Sequence, residues 1–286
     1  MHKNADCLKN KVAILYIATG RYNIFWKHFY QSAENFLLND CEKHYFIFTD
    51  SPEQLMGEDS PSVTRIEQKK MGWPFDTLLR FEIFLSIKEQ LKNYDYVFFF
   101  NGNSEIVRPI LSTDLLPLEN SQNLVFAHQP HLFHVKKHKY TYDRNPLCLA
   151  YIPYNKGNSY FTGALNGGKV SSYLEMCEVL AKKIQEDLAK DVIALWHDES
   201  HLNHYALDRK DIKILPAFFT RGESEYWKTD AKIMFSDKTH YRFGGHAYLR
   251  NETDQRISKE EWESKYGKKS ARFKFRLKQY IKSLFL

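Results

Sequence analysis

The chain has 286 residues, of which 43% are hydrophobic, and it carries 41 basic and 35 acidic side chains. Length and composition predict one large domain or two small ones with a sizeable core, and only 12 glycines and nine prolines exclude a collagen-like or linker-dominated chain. Seven of the basic side chains lie in residues 268–286, which hold no acidic residue. The remainder is nearly neutral, which excludes a general nucleic-acid-binding protein.

The apolar pattern predicts strands and helices in alternation. Strands are expected at residues 12–17, 44–49, 62–66, 94–100 and 124–127, and helices at 25–38, 76–91, 170–188 and 197–207. This order is typical of an α/β fold whose central strands are mostly parallel and flanked by helices. We expect a single domain over residues 1–267, followed by a basic tail at 268–286.

The tail has apolar residues at helical spacing, Phe273, Leu277, Ile281 and Leu284, with cations around them. This pattern favours an amphipathic helix on an anionic membrane surface. A terminal helix docked on its own domain and an RNA-binding tail are the alternatives.

No run approaches the roughly 20 apolar residues of a membrane span, and the first residues lack the apolar centre of a secretory signal. We therefore expect a cytoplasmic protein, peripheral at the membrane if the tail binds lipid. The cysteines lack CxxC spacing, which indicates reduced thiols. They are Cys7, Cys41, Cys148 and Cys177.

Ligands of such sheets bind beyond the carboxyl ends of the strands. Two segments follow predicted strands in this way, residues 18–22 and residues 101–103. The first lacks the GxGxxG fingerprint, which disfavours a dinucleotide, and the chain has no GxxxxGK[ST] loop for phosphoryl transfer.

Four segments carry a family resemblance: WPFDTLLR at 73–80, NGN at 101–103, the stretch 142–168 with its YDR, AYIP and GG motifs, and WHDESHLN at 196–203. Together they resemble glycosyltransferase family six, which includes the histo-blood-group A and B transferases and α1,3-galactosyltransferase. The resemblance runs from about residue 12 to about residue 216. It implies a GT-A fold, with a Rossmann-like mixed sheet, and transfer of galactose or GalNAc from UDP with retention at the anomeric carbon.

The sequence departs from the family at its Asp-x-Asp motif, whose carboxylates hold a manganese ion against the UDP diphosphate. Both positions are amides here, Asn101 and Asn103. Mn²⁺ prefers charged carboxylate oxygens, so we predict an enzyme without a metal cofactor, in which the amides still hydrogen-bond the donor.

Side-chain cations then have to stabilise the leaving diphosphate. The family closes a C-terminal Lys and Arg over it, and Lys238 and Arg250 are our first choices for these roles. Arg242 is the alternative for either position, and an ordinary solvated basic loop is the alternative for the whole stretch.

By the same resemblance, Glu199 is the reactive centre, as a nucleophile or as a stabiliser of an oxocarbenium-like transition state. Asp198 and Arg80 are expected to bind hydroxyl groups of the donor sugar. An exposed helix N-terminus, which favours acidic residues, is the alternative explanation for the Asp-Glu pair.

The resemblance also implies the rest of the substrate contacts. The nucleoside is expected on Ile17, Ala18, Tyr22, Trp73 and Thr77. The tripeptide Thr162, Gly163 and Ala164 matches the one that selects the donor sugar, and its small residues favour UDP-GalNAc over UDP-Gal, although only modestly. Acceptor contacts are expected from Gln129, Thr141 and Trp196, with His131 as the alternative to Gln129.

The sequence thus predicts a metal-independent α1,3-GalNAc transferase acting on a fucosylated galactoside resembling the H antigen. One rival is a sugar- or nucleotide-binding protein that has lost catalysis. The other is a zinc hydrolase, because His197, His201 and His204 would share a helix face, although HDESH is out of register with HExxH.

Overall fold

The computed structural model describes residues 9–133, 135–225 and 230–267. The tail at 268–286 and Cys7 lie outside the described residues, so their predictions stay open. The strands are β1 Lys11–Ile17, β2 Glu42–Thr49, β3 Val63–Glu67, β4 Tyr96–Phe100, β5 Ser104–Ile106, β6 Leu124–His128, β7 Phe161–Lys169, β8 Ile212–Leu215, β9 Arg221–Gly222 and β10 Ile233–Phe235.

Two long helices and several short ones surround the strands. The helices are α1 Trp26–Phe36, α2 Phe75–Leu78, α3 Arg80–Leu85, α4 Lys88–Leu91, α5 Ser112–Leu115, α6 Val170–Leu188, α7 Asp198–Tyr205, α8 His246–Leu249 and α9 Lys259–Trp262. A π-helical turn, Glu263–Gly267, follows α9. Within the described ranges, no helix combines the length and apolar character that a membrane span requires.

The main sheet has seven strands in the order β3-β2-β1-β4-β7-β6-β8. The first four are parallel, β7 runs antiparallel to both its neighbours, and β6 pairs parallel with β8. A small sheet, β5-β10-β9, lies after the end of β4. The predicted α/β fold with mostly parallel central strands is confirmed, and it is consistent with a GT-A-like fold.

Both faces of the main sheet are covered, as the continuous apolar run of β1 predicts. Alternate residues of β1 enter two separate cores: Ile14 and Tyr16 pack with Trp26 and Phe29 of α1, whereas Leu15 packs on the side of α3 and α6. The sheet is therefore a buried scaffold whose carboxyl edge remains for ligands.

The helix predicted at 76–91 is wrong in its continuity, because the structure has three short helices, α2, α3 and α4, in its place. Its apolar residues are nonetheless buried, among them Leu78, Phe81 and Phe84. The apolar spacing predicted which residues are buried, but it could not predict where the backbone turns between short helices.

Strand β7 was not predicted, although it lies in the middle of the sheet. Its sequence contains the pair Gly167-Gly168, which is unfavourable in a strand. A Cβ atom on Gly167 would lie 2.3 Å from the Phe98 ring and 2.4 Å from the Val97 carbonyl oxygen. The glycine is thus required by the close approach of β7 to β4.

The antiparallel direction of β7 places its first residues beside the carboxyl end of β4. The Asn101 N–H donates to the Ala164 carbonyl at 2.9 Å, so the two segments meet at one edge. Ile17 at the end of β1 lies at the same edge, as does the beginning of α7.

Candidate active site

A cleft of about 410 Å³, which we call the main cleft, lies at this edge of the sheet. A smaller side branch of about 90 Å³ shares part of its wall. The main cleft is lined by fourteen of the predicted site residues: Trp73, Thr77, Arg80, Asn101, Gln129, Thr141, Thr162, Gly163, Ala164, Trp196, Asp198, Glu199, Lys238 and Arg250.

Ile17 and Tyr22 line the side branch, together with Trp73 and Thr77. Ala18 is buried and lines neither space; its backbone carbonyl accepts a hydrogen bond from the Thr49 hydroxyl at 2.8 Å. The structure thus brings the predicted nucleoside residues together apart from Ala18, which lies behind the wall.

Glu199 is held by two hydrogen bonds at the first turn of α7. Its Oε2 accepts from the Gly163 N–H at 2.7 Å, and its Oε1 accepts from the Tyr160 hydroxyl at 2.8 Å. Burial raises the pKa of Glu199 to about 7, although both donors stabilise its charged form. The carboxylate is therefore fixed in direction and close to half protonated at neutral pH.

The turn before α7 has an unusual backbone. His197, the residue before the helix, has a φ of +52°, which residues other than glycine rarely adopt. Its ring packs edge-on against Trp73, with centroids 4.5 Å apart. Such outliers are retained where the surroundings enforce them, and this one immediately precedes Asp198 and Glu199.

Asp198 and Arg80 form a buried ion pair, with Oδ2 and Nη1 2.8 Å apart. The guanidinium also donates to the Gly163 carbonyl at 2.7 Å and lies over the Phe99 ring at 4.2 Å. Burial raises the pKa of Asp198 to about 6 and outweighs the opposing attraction of Arg80. The alternative explanation, an exposed acidic helix start, is wrong for this residue, because Asp198 is 2% exposed.

Gly163 is surrounded by these groups. A Cβ atom at this position would lie 3.0 Å from Asp198 Oδ2 and 3.3 Å from Glu199 Cβ. The contact between β7 and α7 therefore favours glycine at this position, in addition to any effect on the donor sugar. Thr162 and Ala164, on either side, also line the main cleft.

Lys238 and Arg250 reach the cleft from the C-terminal segment. Arg250 stacks on Trp73 at 3.8 Å, and Lys238 Nζ lies 5.8 Å from the Tyr22 ring centroid. Among the described residues, Lys238 has no carboxylate oxygen within 4.0 Å. Burial, reinforced by the nearby cations Arg250 and Arg80, lowers the pKa of Lys238 to about 8. These cations raise the potential where an anion would bind.

Arg242, the predicted alternative to Lys238 or Arg250, lies elsewhere. Its guanidinium pairs with both carboxylate oxygens of Glu223, at 2.6 and 2.8 Å, and it lines neither the main cleft nor the side branch. The alternative of an ordinary solvated basic loop thus holds for Arg242, but not for Lys238 and Arg250, which line the cleft.

The two asparagines of the NGN segment differ in position. Asn101 lines both the main cleft and the side branch, whereas Asn103 is buried behind it. Asn101 Nδ2 donates to Asn103 Oδ1 at 2.9 Å, and Asn103 Nδ2 donates to the Ser236 carbonyl at 2.7 Å. Direct donor contact is therefore open to Asn101 only.

On the acceptor side, Gln129, His131 and Thr141 all line the main cleft, so the structure does not separate the first two. Trp196 lies there with 47% of its surface exposed. An exposed indole at the mouth of a polar cleft offers an apolar face of the kind that sugar rings pack against.

Sequence reasoning missed several residues of the site, Tyr160 and His246 among them. Tyr160, which holds Glu199, was indistinguishable from other buried tyrosines until β7 was placed. His246, at the start of α8, lines the main cleft. Burial and the cations Lys238 and Arg250 lower the pKa of His246 to about 4, so the imidazole is neutral. No spacing in the sequence distinguishes it.

The three histidines of the zinc hypothesis do not converge. His197 packs on Trp73, His201 is buried with its Nε2 3.6 Å from Asp187 Oδ2, and His204 Nδ1 lies 3.3 Å from the Lys183 amine. In the described part of the chain, the one cluster with metal-ligand character is Cys148, Asp187 and His201, and none of these three lines the main cleft.

Comparison with known proteins gives a consistent result. Residues 2–234 match the sequence profile described as Glycosyltransferase family 6. The "O-antigen biosynthesis glycosyltransferase WbnI" of Escherichia coli is 33% identical over 227 residues, which is 79% of this chain and 94% of that protein.

Vertebrate relatives are more distant. The "Histo-blood group ABO system transferase 2" of Rattus norvegicus is 26% identical over 208 residues, 71% of this chain and 61% of the relative. The "Globoside alpha-1,3-N-acetylgalactosaminyltransferase 1" of Gallus gallus is 29% identical over 210 residues, 71% and 60% respectively. The chain thus matches about three fifths of the length of these two relatives.

Proposed function

Because the chain belongs to glycosyltransferase family 6, we propose that it transfers GalNAc from UDP to a fucosylated galactoside in α1,3 linkage, with retention at the anomeric carbon. Galactose is the less favoured donor sugar. The observation that carries the proposal is the Glu199 carboxylate, fixed by Gly163 and Tyr160 in a cleft that the Asp198–Arg80 pair and the Lys238 and Arg250 cations also line.

In this proposal the anomeric carbon lies over Glu199. The carboxylate acts as nucleophile or stabilises the positive charge that develops as the bond to the diphosphate breaks. Two hydrogen bonds hold it in one direction, which reduces the reorganisation needed at the transition state. Arg80 and Asp198 bind hydroxyl groups of the transferred sugar.

The diphosphate leaves toward Lys238 and Arg250. Their charges take the place of a divalent ion, since each can donate charge-assisted hydrogen bonds to phosphate oxygens. Uridine lies in the side branch, where Trp73 and Tyr22 provide aromatic faces and Thr77 a hydroxyl.

The residues present do not fit a manganese ion. Asn101 and Asn103 are neutral, and both polar atoms of the Asn103 side chain are engaged, Oδ1 by Asn101 and Nδ2 by Ser236. Asp76, a carboxylate of the side branch, accepts the N–H groups of Met71 and Gly72 at 2.7 and 3.0 Å. In the described chain no set of three ligating side chains lies in the cleft, and we propose catalysis without a metal cofactor.

The preference for GalNAc is supported by the small residue Ala164 beside Gly163 and by the globoside GalNAc transferases among the relatives. The acceptor proposal is supported by Gln129, Thr141 and Trp196 at the mouth of the cleft and by the blood-group relatives. A cytoplasmic location, with the basic tail on an anionic membrane surface, stays a prediction.

The experiment offers UDP-GalNAc and UDP-Gal separately with a fucosylated galactoside, with and without EDTA, and follows product mass and anomeric configuration. We expect an α1,3-linked GalNAc product at a rate that EDTA leaves unchanged. A chelator-sensitive rate would refute metal independence, and no product with either donor would favour a binding protein.

A further inference from the structure

Asn103 joins two distant parts of the chain through two hydrogen bonds with Ser236, and a third, local bond links it to Asn101. Its side-chain oxygen accepts from Asn101, and its side-chain NH₂ donates to the Ser236 carbonyl at 2.7 Å. The Ser236 N–H donates back to the Asn103 carbonyl at 2.8 Å. Asn103 is only 7% exposed, so water competes little for these bonds.

These bonds between Asn103 and Ser236, which we call the joint, lie directly before the segment that carries Lys238. Strand β10 pairs antiparallel with β5, and the register ends at Phe235 opposite Ser104. The Asn103–Ser236 bonds extend this pairing by one step, and Lys238 follows two residues later. Beyond the joint, the Asp237 N–H donates to Glu223 Oε2 at 2.8 Å, which fixes the direction in which the chain continues.

We propose that Asn103 is a positioning residue whose side-chain amide anchors Ser236 and thereby holds Lys238 at the diphosphate site. This inference rests on the proposed function, in which Lys238 contacts the leaving diphosphate. Asn103 itself lines neither the main cleft nor the side branch.

The chemistry of Ser236 explains why residue 103 is an amide. A backbone carbonyl can only accept a hydrogen bond, so the side chain facing it has to donate. An aspartate would place a carboxylate oxygen against the carbonyl oxygen at 2.7 Å in a buried setting, where two acceptors repel. A carboxylate at 103 therefore releases the lysine segment, whether or not a divalent ion is present.

The test is a double-mutant cycle on the full chain with N103D, K238A and the double variant. We expect N103D to raise the KM for the UDP-sugar about tenfold or more, which is what loss of one buried hydrogen bond and an added repulsion gives. Added Mn²⁺ does not restore it. If Asn103 acts through Lys238, the double variant is no worse than K238A by more than about twofold.

Two further variants complete the test. N103A removes the donor without adding charge, and we expect a smaller, several-fold rise in KM. N93D is the control: Asn93 is exposed and its NH₂ donates to the Gln90 carbonyl at 3.1 Å, so the same chemical change there leaves KM unaltered.

Limited trypsin digestion tests whether Asn103 anchors the Lys238 segment, and it does not depend on enzyme activity. Cleavage after Lys238 requires local opening of the segment, so we expect it to be faster in N103D and N103A than in wild type or N93D. Circular dichroism checks folding; if N103D does not fold, N103A carries both measurements.

The outcomes separate the two proposals. A wild-type protein that forms no product rejects the proposed function, and the digestion then decides on the anchor alone. An unchanged KM and cleavage rate in N103A, additive losses in the cycle, or restoration of N103D by Mn²⁺ would each overturn the anchoring role of Asn103.

Discussion

The two walls of the cleft are built differently. On one wall, Glu199 and Asp198 are held by hydrogen bonds and an ion pair from Gly163, Tyr160 and Arg80, all within the region that matches the family. On the other, Lys238 lies beyond that region, and no acidic partner within 4.0 Å holds it in the described chain. The carboxylates are prepared before substrate binds, whereas the lysine remains available for the ligand.

This difference agrees with the chemistry of each wall. A nucleophile or charge stabiliser gains from fixed geometry, because the reacting distance is short. A cation that receives a leaving diphosphate gains from lacking an internal partner, because a salt bridge would have to break first. On the C-terminal wall, burial and then the charges of Arg250 and Arg80 lower the pKa of Lys238 to about 8.

The first way to break the comparison is to remove the fixed carboxylate. E199Q keeps the shape of the side chain and loses its charge, so we expect kcat to fall on the order of 10³-fold. UDP binding should stay within twofold, because the cations and the side branch are intact. Steady-state kinetics and calorimetric titration with UDP measure the two effects; turnover near the wild-type rate would remove Glu199 from the mechanism.

Removing the unpaired cation comes next. K238A should raise the KM for the UDP-sugar about 10- to 100-fold, the range for one hydrogen bond to a charged group. Since the pKa of Lys238 is about 8, its charge is lost as the pH rises through that value. Donor affinity of the wild type should therefore decline above pH 8.

R250A sharpens the same test. Arg250 is one of the cations that lower the pKa of Lys238, so its removal raises that pKa. The decline in donor affinity should move to higher pH, even though affinity at neutral pH is weaker. R242A is the matched control, because Arg242 pairs with Glu223 outside the cleft. A decline at the same pH in R250A and wild type would show that another group titrates.

The two walls also differ in how far the sequence could predict them. The strands β1, β2 and β4 were predicted because they are continuous apolar runs, and Glu199 because it lies in a long motif. Strand β7 was missed, since Gly167 marks a close approach that only the neighbouring β4 reveals. Without β7, the partners of Glu199 could not be predicted either.

On the C-terminal wall, the sequence favoured Lys238 and Arg250 but left Arg242 as an alternative for either. What separates them is position: Arg242 pairs with Glu223 outside the cleft, whereas Lys238 and Arg250 line it. The buried position of Asn103 was equally unpredictable, because NGN alone does not say which amide faces the ligand. The contact that decides the position of Asn103 is with Ser236, 133 positions away along the chain.

A smaller effect is expected from a methyl group added at Gly163, where β7 packs against α7. In G163A the added methyl would lie 3.0 Å from Asp198 and 3.3 Å from Glu199, so α7 has to shift by a few tenths of an ångström. We expect kcat to fall about tenfold, since small displacements of a reacting group are costly. G222A is the control, because its nearest neighbour would be at 3.7 Å. Equal rates in G163A and wild type would show that the contact between β7 and α7 has room for the added methyl group.

The smallest effect is expected from a variant that tests what determines the pKa of Glu199. Y160F removes one of the two donors to Glu199 while leaving the Gly163 N–H in place. Because that hydroxyl stabilises the charged carboxylate, its loss should raise the pKa of Glu199 above about 7. The rising limb of kcat against pH then moves to higher pH by up to about one unit, the equivalent of one ordinary hydrogen bond. At a pH above the new limb, the rate should fall only a few-fold, because the carboxylate is again ionised. A uniform loss at every pH, with no shift of the limb, would mean that Tyr160 serves the packing of β7 and not the ionisation of Glu199.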